Sequence, residues 1–410
     1  MDQSVRRRRH ALFLLFLLAG IAMASWVTRT PAIRDRLDVS TAQMGLVLFG
    51  LSLGSMAGIS LSGRLVAVFG TRRVIAWGTW LLMAGMAVIS VGSLAASAVV
   101  VAAGLCVFGS GLGVGDVAVN VDGADVERVS GRTTLPALHG FFSLGTVVGS
   151  GAGMAATAAG VPVQWHLAAV VPLAAGLYLC SARAIPEGTG RVLPEEPRGA
   201  DGGGHHRPAV WRDGKLLLIG AIVLAMALSE GSANDWLPLL MVDGHGMDAT
   251  SGSLVYAGFA AAMTLGRFSG TFFVNRFGRA VVVRASAVSG ALGLLLVIVS
   301  DNAVLAGAAV LLWGLGASLG FPLALSAAGE SGPDSTARVS LVAIIGYVAF
   351  LVGPPGLGFL GDHLGLRLAM LIVLACVGCA AFLAPAVETR PSVAAVSARD
   401  ADAPATADDA

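Results

Sequence analysis

Two acid–amide pairs stand out in a chain that carries few charges. Asp116 and Asn120 lie in the run FGSGLGVGDVAVNVDGADVER, from Phe108 to Arg128. Glu230 and Asn234 lie in LSEGSANDW, which ends at Trp236. Within each pair the residues are four apart, so on a helix they share one face. An ionisable side chain inside an apolar span costs ~2.5–3.5 kcal/mol on insertion scales, and such residues face a bundle interior or a wet cavity. The chemistry expected of these four is substrate binding or proton carriage. Each acid has a structural alternative: a gate or capping contact for Asp116, a buried acid satisfied by a neighbouring helix for Glu230. Counting ~1.5 Å per residue puts Asp116 in the inner third of its span. Glu230 falls in the outer half of its own, and the small residues Gly231, Ser232 and Ala233 after it would let that helix bend or break.

Other reactive types are sparse. Arg29 ends the first apolar run and is expected to act as a lip or gate. His139, in LHGFFSLG, could titrate near neutral pH or pack at a helix end. Trp26 and Trp236 read as anchors at the membrane–water interface, with Asp235 also near the outer surface. The four cysteines lie in apolar runs, and Cys376 and Cys379 form a lone C-x-x-C without a second pair or a nearby histidine. Packing is the reading for them, and His205 and His206 read as solvated. No metal site and no cofactor is expected. The chain contains no G-x-x-x-x-G-K-[ST] and no H-E-x-x-H, so a nucleotide-driven pump or a zinc protease is not indicated.

The elements that would position these residues are membrane helices. Hydrophobic residues make up 56% of 410, charged residues 12%, and the mean hydropathy is +0.80. A soluble domain carries about twice that charge fraction. A net charge of +1 gives no basic field for nucleic acid. Taking ~20 apolar residues per span, candidate spans are 11–30, 42–64, 74–94, 97–121, 136–159 and 164–183. Six more follow at 215–239, 252–274, 281–299, 303–327, 339–360 and 367–386. The fold class is therefore an all-α integral membrane protein of twelve spans in two six-helix halves. Its expected parts are an N-terminal half at 1–183, a linker rich in Gly, Pro and charge at 184–214, a C-terminal half at 215–387, and a polar disordered tail at 388–410. With the N-terminus inside, the inner segments hold Arg6–Arg9, Arg64, Arg72, Arg73, Arg276 and Arg279 among others. The outer loops hold Arg29, Arg34, Arg36 and Arg367. That bias puts both termini and the linker in the cytoplasm.

The halves echo each other. Trp26 and Trp236 stand 210 residues apart, as do Asp38 and Asp248. Phe69-Gly70 recurs as Phe277-Gly278, and Phe108-Gly109 as Trp313-Gly314. A near-constant offset is the mark of duplication, expected of a transporter built from two parallel halves. Ser40-x-x-Gln43 is a capping box that starts the second span.

Gly63, Gly70, Arg72 and Arg73, in the loop after the second span, resemble the loop motif of the major facilitator superfamily. Ala67 and Val68 stand where that motif has an acid and a base. In the second half Asn275, Arg276, Gly278 and Arg279 follow the pattern, with Gly266-Arg267 ahead of it. The resemblance implies a structural, gate-pairing role for Arg267, Arg72 and Arg73 at the inner end. GDVAVN and HGFFSLG resemble a bacterial branch near the fucose-permease-like members. A secondary active transporter of the bacterial inner membrane is thus implied. It would move a small, sugar-like solute with protons by alternating access, as a monomer in lipid. A proton-driven multidrug exporter is the alternative within the class. A non-transporting sensor or an intramembrane enzyme is the alternative outside it.

Overall fold

The computed structural model describes residues 2–131, 134–191, 210–332 and 334–388. Most of the expected linker and nearly all of the expected tail lie outside the described residues, as do His205 and His206. The first half comprises α1 (Gln3–Val27), α2 (Thr30–Leu37), α3 (Thr41–Phe69), α4 (Thr71–Leu94), α5 (Ala98–Ser130), α6 (Leu135–Ala158) and α7 (Val163–Ala182). The second comprises α8 (Gly214–His245), α9 (Ala249–Phe277), α10 (Arg279–Val299), α11 (Ala303–Ala317), α12 (Gly320–Glu330), α13 (Ser335–Leu364) and α14 (Leu366–Leu383). Among the described residues there is no strand.

Eleven stretches are long and apolar enough to cross a membrane, with α11 and α12 forming one of them. The twelfth place in the series belongs to α9, which has 29 residues but is more polar. It carries Arg267 in mid-helix, and pairing inside the bundle offsets the burial of that charge.

The duplication is visible in the turns. Both α3 and α9 have 29 residues and both stop at a glycine in the left-handed half of the map, Gly70 at φ +80° and Gly278 at φ +82°. A side chain is strained there, which is why the one-residue turn keeps glycine in each half. Their starts match too. Ser40 and Gln43 make the expected capping box, while Asp248 accepts from the amides of Thr250 and Ser251 at 2.8 and 3.0 Å. The Ser251 hydroxyl beside it holds the Asp248 carboxyl below the usual carboxylate range.

One expectation about a helix break is corrected. The chain does not break after Glu230, because α8 runs on to His245. Gly231 is small for a packing reason, since a Cβ there would lie 3.0 Å from the Phe350 ring. The break falls instead in the tenth span, between α11 and α12. Pro322, in the first turn of α12, has no N–H to return to the preceding turn.

Within the first half α5 packs between α3 and α4, and α1 lies on α6; in the second, α10 packs on α11 and α8 on α13. The halves meet along α3–α13 and α6–α9. One end of this seam is sealed. A Cβ on Gly45 would lie 2.8 Å from the Pro354 carbonyl and 3.1 Å from the Gly358 Cα, so the α3 and α13 backbones touch. Asp362 accepts from the amides of Thr41 and Ala42 at 3.1 and 3.4 Å. Ser253 donates to the Thr28 carbonyl at 3.0 Å, and Arg34 pairs with Asp243. Trp26 and Trp236, expected as interface anchors, are 1% and 0% exposed. The two halves close over them, and the Trp236 ring occupies the space that glycine leaves at Gly358.

Gly45→Val should push backbone from backbone and loosen this seal, an overpacking worth about 1–3 kcal/mol. A membrane-impermeant maleimide should then label Leu48→Cys, buried at the seal, faster in Gly45→Val than in the parent. Equal labelling would show that the glycine contact does not hold this end shut.

Candidate functional site

A cavity of about 350 Å³ lies between the halves, walled by α1, α3, α4, α5 and α6 on one side and by α8, α9 and α13 on the other. Asp116, Glu230 and Asn234 all reach its wall. The two acids, expected on opposite sides of the membrane midplane, share one chamber.

Asp116 sits deep in the bundle on α5, yet its side chain is exposed to the cavity. Among the described residues no cation pairs with it. Asn120 lies against it on the same face of α5. Its amide turns back and donates to the Asp116 backbone carbonyl at 2.9 Å, and Asn120 is not on the cavity wall. Four-residue spacing set the two on one helical face, but the nearer acceptor was the helix's own carbonyl.

Glu230 is not a free acid. Arg267 Nη2 donates to its two carboxylate oxygens at 3.0 and 3.2 Å. The same guanidinium donates from Nη1 to the Ser143 hydroxyl at 3.1 Å. Arg267 therefore ties α9 to α8 within its own half and to α6 in the other. This corrects its expected place at the inner gate: it lies more than two turns from the loop motif, beside the cavity. Asn234 accepts from the Tyr256 hydroxyl at 2.9 Å, which fixes the amide that shares Glu230's face.

The remaining candidates are off the cavity. Arg29 is 3% exposed and donates to Thr157 Oγ1 at 2.7 Å and to the Val161 carbonyl at 2.5 Å. It pins α1 to the end of α6 at the sealed end, inside its own half. His139 is exposed, and the Phe16 ring meets it edge-on with centroids 5.4 Å apart. Arg72 pairs with Glu187 at 2.9 Å, and Arg73 is exposed.

Sequence reasoning passed over Ser143, Asp122 and Arg8. Arg8 donates to Asp122 at 2.6 Å and to Asp125 at 2.8 Å, and Asp122 is fully buried. Thr71 donates to the other Asp122 oxygen at 2.5 Å. An acid of the α5 terminus thereby fastens the N-terminal turn of α1 and the start of α4. No spacing rule marks Ser143; only its contact across the seam does.

Replacing Arg267 with Met should destabilise the protein by about 3 kcal/mol, the low end for a broken buried pair, because it strands a largely buried carboxylate. Glu230→Gln added to Arg267→Met should recover part of that loss. Melting curves of the purified single and double variants would check this. Additive losses would mean that the two side chains are not coupled.

A helical membrane bundle of two matched halves, sealed at one end and holding in a shared chamber an acid with no ion-pair partner among the described residues, has the build of a solute carrier. The profile of the Major Facilitator Superfamily matches residues 11–340, and the chain belongs to that family of transporters. An uncharacterized MFS-type transporter from Yersinia pestis is 32% identical over 372 residues, which is 90% of this chain and 91% of that protein. A membrane protein named MosC, from Rhizobium meliloti, is 28% identical over 366 residues, 88% of this chain and 85% of that one. Among solved structures, a mutant of the nucleoside transporter NupG aligns with a TM-score of 0.73 at 14% identity, over 93% of this chain and 99% of that one. The E. coli fucose:proton symporter FucP gives 0.63 at 18%, over 95% and 100%. At such identities these two speak for the fold alone.

Proposed function

We propose that this transporter moves a small solute by alternating access, and that Asp116 carries the proton that drives it. The observation behind this reading is the exposed Asp116 carboxylate, unpaired among the described residues, in a chamber that both halves wall. An ionisable group at membrane depth without a partner is a relay or a binding site before it is a structural part. Glu230 serves a second role in the proposal. Its bond to Arg267, and Arg267's bond to Ser143, join the halves beside the chamber, so rocking must break or remake that bridge.

The arginine bias supports a multi-pass protein of the bacterial inner membrane with both termini in the cytoplasm. The sealed Trp26 end then faces outward, and this is an inward-facing state. The two repeats supply both walls of the pathway, which supports halves at 1–183 and 215–387 joined by a linker at 184–214, acting as a monomer. Proteoliposomes test the coupling. Solute should accumulate against its gradient when a pH difference is imposed and stop when an ionophore collapses it. Flux indifferent to pH would remove the proton.

A further inference from the structure

We infer that the solute is an organic monocation with an apolar body, held by its charge against Asp116. This rests on the transport reading above and narrows its solute. The case comes from an inventory of polar groups around the chamber. The Thr79 hydroxyl donates to the Ile75 carbonyl at 2.9 Å, and that of Thr146 to the Ser143 carbonyl at 2.7 Å. Asn234 Oδ1 is taken by Tyr256, and the Arg267–Glu230 pair is already neutral as a unit. Among the described residues on the wall, the hydrogen-bond donors left without an acceptor are the Ser55 hydroxyl and the Asn234 amide hydrogens, while the Asp116 carboxylate is an acceptor without a cation.

That inventory weighs against two solute classes by their chemistry. A sugar or nucleoside brings several hydroxyls, each of which loses water on entry and needs a partner. This wall holds few free donors for their oxygens. An anion would need a free cation, and Arg267, the cation beside the chamber, is spent on Glu230. The sugar-like solute implied by the sequence resemblance is therefore not the one this lining fits. What the wall does offer is the faces of Phe16, Phe142 and Phe350 and the thioethers of Met23 and Met263. Aromatic faces attract a desolvated cation, and methionine adapts to irregular apolar shapes. One carboxylate set in such a wall selects a single positive charge. A chamber of about 350 Å³ takes a one-ring ammonium.

The test uses the purified full-length protein. Its melting temperature is followed against phenethyltrimethylammonium, phenylacetate, fucose and uridine, with tetramethylammonium and tetraphenylphosphonium bracketing the size. An ammonium or phosphonium probe should raise the melting temperature of the parent and of Asp116→Glu. Its affinity should fall at least about 30-fold in Asp116→Asn, as when one partner of a desolvated charge pair is removed. Equal binding to parent and Asp116→Asn would overturn the inference. So would stabilisation by fucose, uridine or phenylacetate without any cation binding, and that result would leave the transport reading intact. No shift with any cation across the size range also overturns it. Cation binding without flux in proteoliposomes would instead sink the transport reading and keep the ligand class.

Discussion

Asp116→Asn should abolish the response of solute flux to an imposed pH gradient while the protein inserts and melts as the parent does. The asymmetry follows from the local geometry. The carboxylate has no ion-pair partner among the described residues, so its loss strands no buried charge. The bond that Asn120 makes goes to the Asp116 backbone, which the substitution keeps. Removing the ionisable group therefore removes the proton's seat with little structural cost. Accumulation of solute against its gradient should be lost in this variant. The check is a comparison of pH-driven uptake and melting temperature in one preparation. If Asp116→Asn accumulates solute normally, the proton travels elsewhere. If it merely unfolds, the acid is structural.

Arg8→Ala should show the opposite profile, a large loss of stability with no direct effect at the chamber. Arg8 is 9% exposed and bridges two carboxylates, of which Asp122 is fully buried. Its removal leaves Asp122 with the Thr71 hydroxyl and no cation. Breaking one side of a buried pair costs about 3–5 kcal/mol, mostly for the charge left behind. Adding Asp122→Asn should return much of that loss. Melting curves of the two single variants and the double variant separate the cases. A double variant no more stable than Arg8→Ala would mean that Arg8 acts through packing of its stem.

The two acids differ in how readable they were. Asp116 announces itself, because a carboxylate between Gly115 and Val117 interrupts an apolar text. The architecture was legible for a similar reason. Spans follow from local composition, and Gly70 and Gly278 recur because both turns need the same backbone angle. The partner of Glu230 was not legible, because Arg267 is 37 residues away on another helix and Ser143 lies across the seam. Nothing in the spacing of the three relates them. Trp26 and Trp236 misled for a physical reason. Tryptophan at a span end suits the lipid interface, and only the closure of one half on the other turns the same rings into core. Arg8 was read only as one of four arginines that mark the inner side, since its acids stand 114 and 117 residues downstream.

The sealed end has a further consequence. Among the described residues, the ion pair that joins the halves there is Arg34–Asp243, while at the opposite end Arg72–Glu187, Arg279–Glu330 and Arg338–Asp213 each stay inside one half. Dissolved salt screens surface charges over about 10 Å at 0.1 M. Brine on the Trp26 face would thus weaken a clasp between the two halves. The balance between the two states of this carrier should respond to ionic strength on that face.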